Sequence, residues 1–116
     1  MSKLNFWLAS GIATLALLGT GTAVGGEVVT EAQIEAARTS EQHEAIARSY
    51  EDEATAAERR AESHAKMAQT YRLAYAKTSR ESMASHCINL EKDYRNAASA
   101  YRKLAEEHHK MAEAAK

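Results

Sequence analysis

The sequence predicts an all-α protein, an antiparallel hairpin of two long helices with an alanine-rich seam. Three observations carry that expectation. All five glycines (Gly11, Gly19, Gly21, Gly25, Gly26) fall in the first 26 residues and the chain has no proline, so Glu27 to Lys116 lack both common helix breakers. That stretch holds 21 alanines, and most of its other positions are Glu, Lys, Arg, Gln, Met or Leu, the strong helix formers. It also resembles itself: residues 42–72 align without a gap on residues 86–116 after a shift of 44.

The first element is an export signal over 1–25. Met1-Ser2-Lys3 is a short basic start, and an apolar stretch from Leu4 to Leu18 follows. The small residues Gly19 to Val24 come next, with Gly21 and Ala23 placed for cleavage after Ala23, or two residues on after Gly25. About 15 apolar residues, broken by Asn5, Ser10 and Thr14, fall short of the ~20 that span a bilayer. The expectation is a mature protein in the periplasm or secreted, with no membrane attachment after cleavage.

An N-terminal segment, 26–39, carries a short helix near 30–38. Thr30 with Gln33 and Thr39 with Gln42 both have capping-box spacing. A long helix follows over roughly 40–77. Thr78 with Glu81 three residues on is the best internal stop, so a second long helix is expected over about 80–114, with the turn at Thr78-Ser79. One continuous rod is the competing picture. Glu44–Arg48, Glu62–Lys66, Glu91–Arg95 and Glu106–Lys110 all have the favourable acid-first i,i+4 order.

The self-similarity pairs Tyr50, His64, Met67 and Ala68 with Tyr94, His108, Met111 and Ala112. Alanines recur every seven residues at 47, 54, 61 and 68, and again at 98, 105 and 112. A seven-residue spacing keeps one seam toward a partner helix, and small side chains there let backbones approach. Ile46, Tyr50, Ala57, Met67 and Tyr71, with Leu90, Tyr94, Tyr101, Leu104 and Met111, are expected to line it. Folding 40–116 back as a duplicated hairpin sets side by side residues whose numbers add to about 157. Two such hairpins make a four-helix bundle, and the thin supply of large apolar residues favours a homo-oligomer or a helical partner.

That frame gathers the chemistry-bearing residues at two places. His43 meets His108, His109 and Met111 at one; His64 and Met67 meet His86 and Cys87 at the other, with Met83 nearer the turn. His64-x-x-Met67 and His108-x-x-Met111 put imidazole and thioether on one helix face, a donor set suited to copper first and zinc second. The plainer reading makes the histidines seam residues bonded to a tyrosine or glutamate, and the methionines core filler. Cys87, the only cysteine, is open to burial, to bridging two chains or to ligation. Covalent haem is excluded because there is no Cys-x-x-Cys-His, though haem held between helices by His and Met is not.

Acidic and basic residues are interspersed at a net charge of −1, without the basic run that nucleic acid requires. Nothing supplies an oxyanion hole or nucleophile–base pair, so no enzymatic activity is expected and no cofactor beyond the metal alternative. The pattern His43-Glu-Ala-Ile-Ala, Tyr50-Glu51, His64-x-x-Met67-Ala68, His86-Cys87 through Tyr94, and His108-x-x-Met111-Ala112 resembles a group of small exported bacterial helical proteins of unassigned function. The resemblance covers roughly 40–112 and implies an all-helical fold without a particular activity or ligand.

Overall fold

The computed structural model describes residues 28–74 and 77–116, so the expected export signal lies outside the described residues. Helix α1 spans Glu31–Ala36, α2 spans Ser40–Ala74 and α3 spans Lys77–Ala114. The last two pack along each other as an antiparallel hairpin, which rules out the continuous rod. At ~1.5 Å per residue they are rods of roughly 52 and 57 Å. Among the described residues no helix is long and apolar enough to cross a membrane.

Both capping boxes form. The Gln33 amide donates to Thr30 Oγ1 at 3.3 Å, and the Thr30 amide donates back to Gln33 Oε1 at 2.8 Å. At the start of α2 the Gln42 amide donates to Thr39 Oγ1 at 3.2 Å, while the Thr39 and Arg38 amides donate to Gln42 Oε1 at 3.1 and 2.8 Å. Between the helices Ala37 is extended (φ −66°, ψ 121°), so α1 and α2 are separate. Within the hairpin Ser49, Thr55 and Thr70 donate their hydroxyls to the carbonyl four residues back, the local bond that satisfies a hydroxyl inside a helix.

The alanine seam is as expected and one position longer. Ala47, Ala54, Ala61 and Ala68 of α2 and Ala84, Ala98, Ala105 and Ala112 of α3 are all at most 3% exposed. In the same seven-residue rhythm Glu91 takes the place of an alanine in α3 and turns aside to Arg95 at 3.0 Å. A methyl group is too short to fill a gap between helices. Complete burial of eight such methyls therefore means close backbone approach, toward the ~8 Å end of the usual 8–10 Å interaxial range.

Two expectations need correction. Thr78 and Ser79 lie inside α3: α2 ends at Ala74 and α3 begins at Lys77, with residues 75–76 outside the described ones. No glycine or proline fixes a stop locally, so the interhelical register sets it. The ring pairs His43–His108 and Tyr50–Tyr101 share a midpoint between residues 75 and 76. The other correction concerns the seam's lining. Leu90, Leu104 and Met111 are 41–43% exposed and lie outside it, because alanine-to-alanine contact leaves no room there for longer side chains.

Candidate functional site

Seven-residue spacing gives each long helix three rows that matter, and the hairpin has a different chemistry on either flank of the alanines. One flank carries His43, Tyr50, Ala57, His64 and Tyr71 from α2 and Cys87, Tyr94, Tyr101 and His108 from α3. These interleave as a ladder of rings. His43 lies 5.3 Å from His108, His108 lies 5.8 Å from Tyr50, and Tyr50 stacks on Tyr101 at 6.2 Å. Ala57 fills the middle with Ala54 and Ala98, against Tyr94 and Tyr101. Beyond it His64 stacks on Tyr94 at 5.5 Å and 9° between planes, with the Arg60 guanidinium 5.9 Å from the Tyr94 ring centre.

The opposite flank is charged. Glu44, Glu51 and Glu58, seven apart on α2, face His109 and Arg102, seven apart on α3. Arg102 meets Glu58 at 2.7 Å, and His109 is held by Glu44 at 3.1 Å and Glu51 at 2.9 Å.

The neighbouring histidines His108 and His109 thereby have pKa values shifted in opposite directions. His108 Nδ1 lies 3.1 Å from His43 Nδ1, so one nitrogen must donate and the other accept, and the pair cannot carry a proton on both. Burial of the His108 ring, followed by the His43 charge, lowers its pKa below 6.5. His109 has a carboxylate oxygen at each ring nitrogen, and ionised carboxylates only accept, so both nitrogens donate and the ring is imidazolium. Its pKa is raised above 6.5, chiefly by the hydrogen bond to Glu51 and then by that to Glu44.

Of the first expected cluster, the structure brings His43 and His108 together. It turns His109 to the far flank and leaves Met111 41% exposed. Of the second, Met67 packs with Cys87, Ala68, Ala84 and Tyr71, where the thiol is 7% exposed and unbridged. His64 stacks on Tyr94 instead of joining that group, and its buried Nδ1 has no hydrogen-bond partner. His86 is exposed. Among the described residues no group of three or more His, Cys, Asp or Glu side chains is placed to hold a metal ion. A shallow cleft of about 300 Å³ separates α1 from α2, lined by Val29, Gln33, Ala36, Gln42, Ala45, Ile46 and Ser49.

The carboxylates that hold His109 were not singled out in the sequence. Local spacing pairs Glu44 with Arg48 one turn away, yet Glu44 reaches across to His109. The signal that would have found it is the matching period of seven, acids at 44, 51 and 58 against bases at 95, 102 and 109. No family model matches the chain, and no curated protein and no solved structure matches it.

Proposed function

We propose that the chain is an exported helical packing protein without enzymatic activity. It works by laying one face of its hairpin against another helical surface, either its own copy or a helical partner. The observation that carries this reading is the unequal covering of the two flanks. On one side charged residues satisfy one another and Ile88 alone in the α3 row is an exposed large apolar residue, at 40%, while on the other Met83, Leu90, Leu104 and Met111 keep 39–43% of their surface in water. Leaving four large apolar side chains half uncovered along one edge of a helix forgoes the main favourable term in folding, and a partner helix recovers it.

One observation favours a second reading, a periplasmic metal-binding protein with copper first and zinc second. Two nitrogens each ~2.0–2.1 Å from a tetrahedral ion stand roughly 3.3 Å apart, close to the 3.1 Å between His43 and His108 Nδ1. Met111 follows His108 by three residues, on the same side of α3.

The two readings separate in one experiment. The purified mature protein and a variant carrying both His64→Ala and His108→Ala are assayed for bound metal and for helicity by circular dichroism. The packing reading expects no stoichiometric metal in either protein and helical spectra for both. One copper per chain, lost in the double variant, overturns it in favour of the metal reading. A visible absorption spectrum of the same sample tests haem.

A further inference from the structure

The half-covered row on α3 reads the same in both directions. Met83, Leu90, Ala97, Leu104 and Met111 follow one another at seven-residue steps, with leucines seven residues and methionines fourteen residues either side of Ala97. Ala97 is half-buried, and the other four are 39–43% exposed. A palindromic row is complementary to itself when two copies lie antiparallel, the condition for a closed twofold interface in which residue i meets j and j meets i.

The matching row on α2 is antisymmetric in charge. Glu53 is half-buried and Arg60 is exposed, and they stand at equal distances from a midpoint beside Ala57. Within one helix seven residues separate them by ~10.5 Å, too far to pair. The centres of the two rows lie within ~4 Å of one height in the hairpin: the ring pairs set Ala97 level with Ala54, and Ala54, Ala57 and Ala97 belong to one packed layer. A single axis through that layer therefore serves both helices.

We infer that this face docks on a second copy of the chain about a twofold axis crossing the hairpin at Ala57 and Ala97. It does so with α3 antiparallel to α3 and α2 antiparallel to α2, giving a four-helix bundle. Leu90 then meets Leu104 of the other copy, Met83 meets Met111, and Glu53 meets Arg60 in both directions. From Met83 to Met111 the row is ~42 Å long, and two helices side by side are ~20 Å wide, so the face offers about 800 Å² per copy. That is the area a stable pair of proteins ordinarily buries on each side. The inference rests on the packing reading and specifies its partner.

The test uses the full chain as the cell processes it, in sedimentation equilibrium and cross-linking, with circular dichroism to verify helicity. The expected result is a dimer that Glu53→Arg or Arg60→Glu alone weakens about tenfold or more, by setting like charges together. The double exchange Glu53→Arg with Arg60→Glu restores it. In a Cys87→Ser background, Ala97→Cys links two chains on mild oxidation, whereas Met83→Cys does not, because antiparallel copies hold those positions ~42 Å apart. Three outcomes overturn the inference: a monomer at every concentration, a double exchange that fails to restore association, or a Met83→Cys link without an Ala97→Cys one. The two readings fail separately. A helical, metal-free monomer removes the second copy and leaves a different helical partner, whereas stoichiometric metal lost with His64 and His108 removes the packing reading itself.

Discussion

Replacing Ala54 by leucine separates close helix approach from ordinary coiled-coil packing, because the two predict opposite signs. Ala54 is 1% exposed and packs with Ala57 and Ala98. In a coil with room at the seam, three added carbons gain about 2.4 kcal/mol of burial at ~0.8 kcal/mol each. Here the neighbours along the seam are methyls, with Ala47 and Ala61 on the same helix both 0% exposed. A leucine forces α2 and α3 apart toward the ~10 Å end of the interaxial range. Each displaced alanine then forfeits a quarter to a half of its dispersion wells, over several seam layers and not only at the mutated one. Strain of this kind outweighs the added burial in close-packed interiors, at a typical net cost of about 1–3 kcal/mol. Thermal unfolding followed at 222 nm, at one fixed protein concentration, reads the effect as a fall of about 4–8 °C per kcal/mol. Ala100→Leu is the control: Ala100 is exposed, helix propensity is the same, and its change stays within about 0.5 kcal/mol. A melting temperature for Ala54→Leu at or above wild type refutes close approach.

Three further outcomes are expected. Thr39→Ala removes the cap that accepts the Gln42 amide and costs about 1 kcal/mol, read as a lower urea midpoint at unchanged slope; an unmoved midpoint contradicts it. The adjacent histidines give pH dependences of opposite sign. His109, with its pKa raised, contributes stability that is full below pH 6.5 and lost as pH rises through its raised value; His108, with its pKa lowered, contributes stability present above pH 6.5 and lost as pH falls through its lowered value. Melting temperatures of His109→Gln across pH 5 to 9 should therefore lose the decline on the alkaline side, and those of His108→Phe the decline on the acid side; an alkaline decline of wild-type size in His109→Gln excludes the doubly bound imidazolium. His64→Phe keeps the ring stacked on Tyr94 while removing the buried unpartnered Nδ1, and should raise stability by about 1 kcal/mol. A loss of that size in the urea midpoint instead means that the nitrogen is used.

What could be read in the sequence was whatever local chemistry decides. Thr30 with Gln33 and Thr39 with Gln42 each satisfy backbone donors within four residues, so their spacing alone located the starts of α1 and α2. The alanine period was equally legible, because a strict repeat of seven has only one face to present. The turn between α2 and α3 was not. Thr78 and Ser79 carry the only cap-like signal, but threonine and serine are also tolerated in a first helical turn, and nothing local distinguishes the two uses. The stop is decided by where the ring ladder and the charged flank come into register, which is information held 44 to 65 residues apart.

The histidines show the same limit more sharply. By the 44-residue shift His64 and His108 are equivalent, as are His43 and Cys87, and composition alone assigns each histidine the same role. Their surroundings make them different. At His108 the partner across the seam is a second imidazole, close enough to share one proton, and burial with that neighbour lowers its pKa while the carboxylates around 109 raise the pKa there. At His64 the position equivalent to His43 holds the Cys87 thiol, which packs with Met67 and Ala84, and the imidazole turns to Tyr94 with a nitrogen left unpaired. A self-similar sequence has thus produced two ends of unlike chemistry: a proton-sharing imidazole pair at one and a buried sulfur layer at the other. That asymmetry predicts where acid acts first. Below pH 6.5 the hairpin should loosen at the His43–His108 end while the Cys87 layer stays protected. Amide hydrogen exchange should rise earlier at Ala47 and Ala112 than at Ala68 and Ala84, and uniform exchange along both helices would show that the two ends are not energetically distinct.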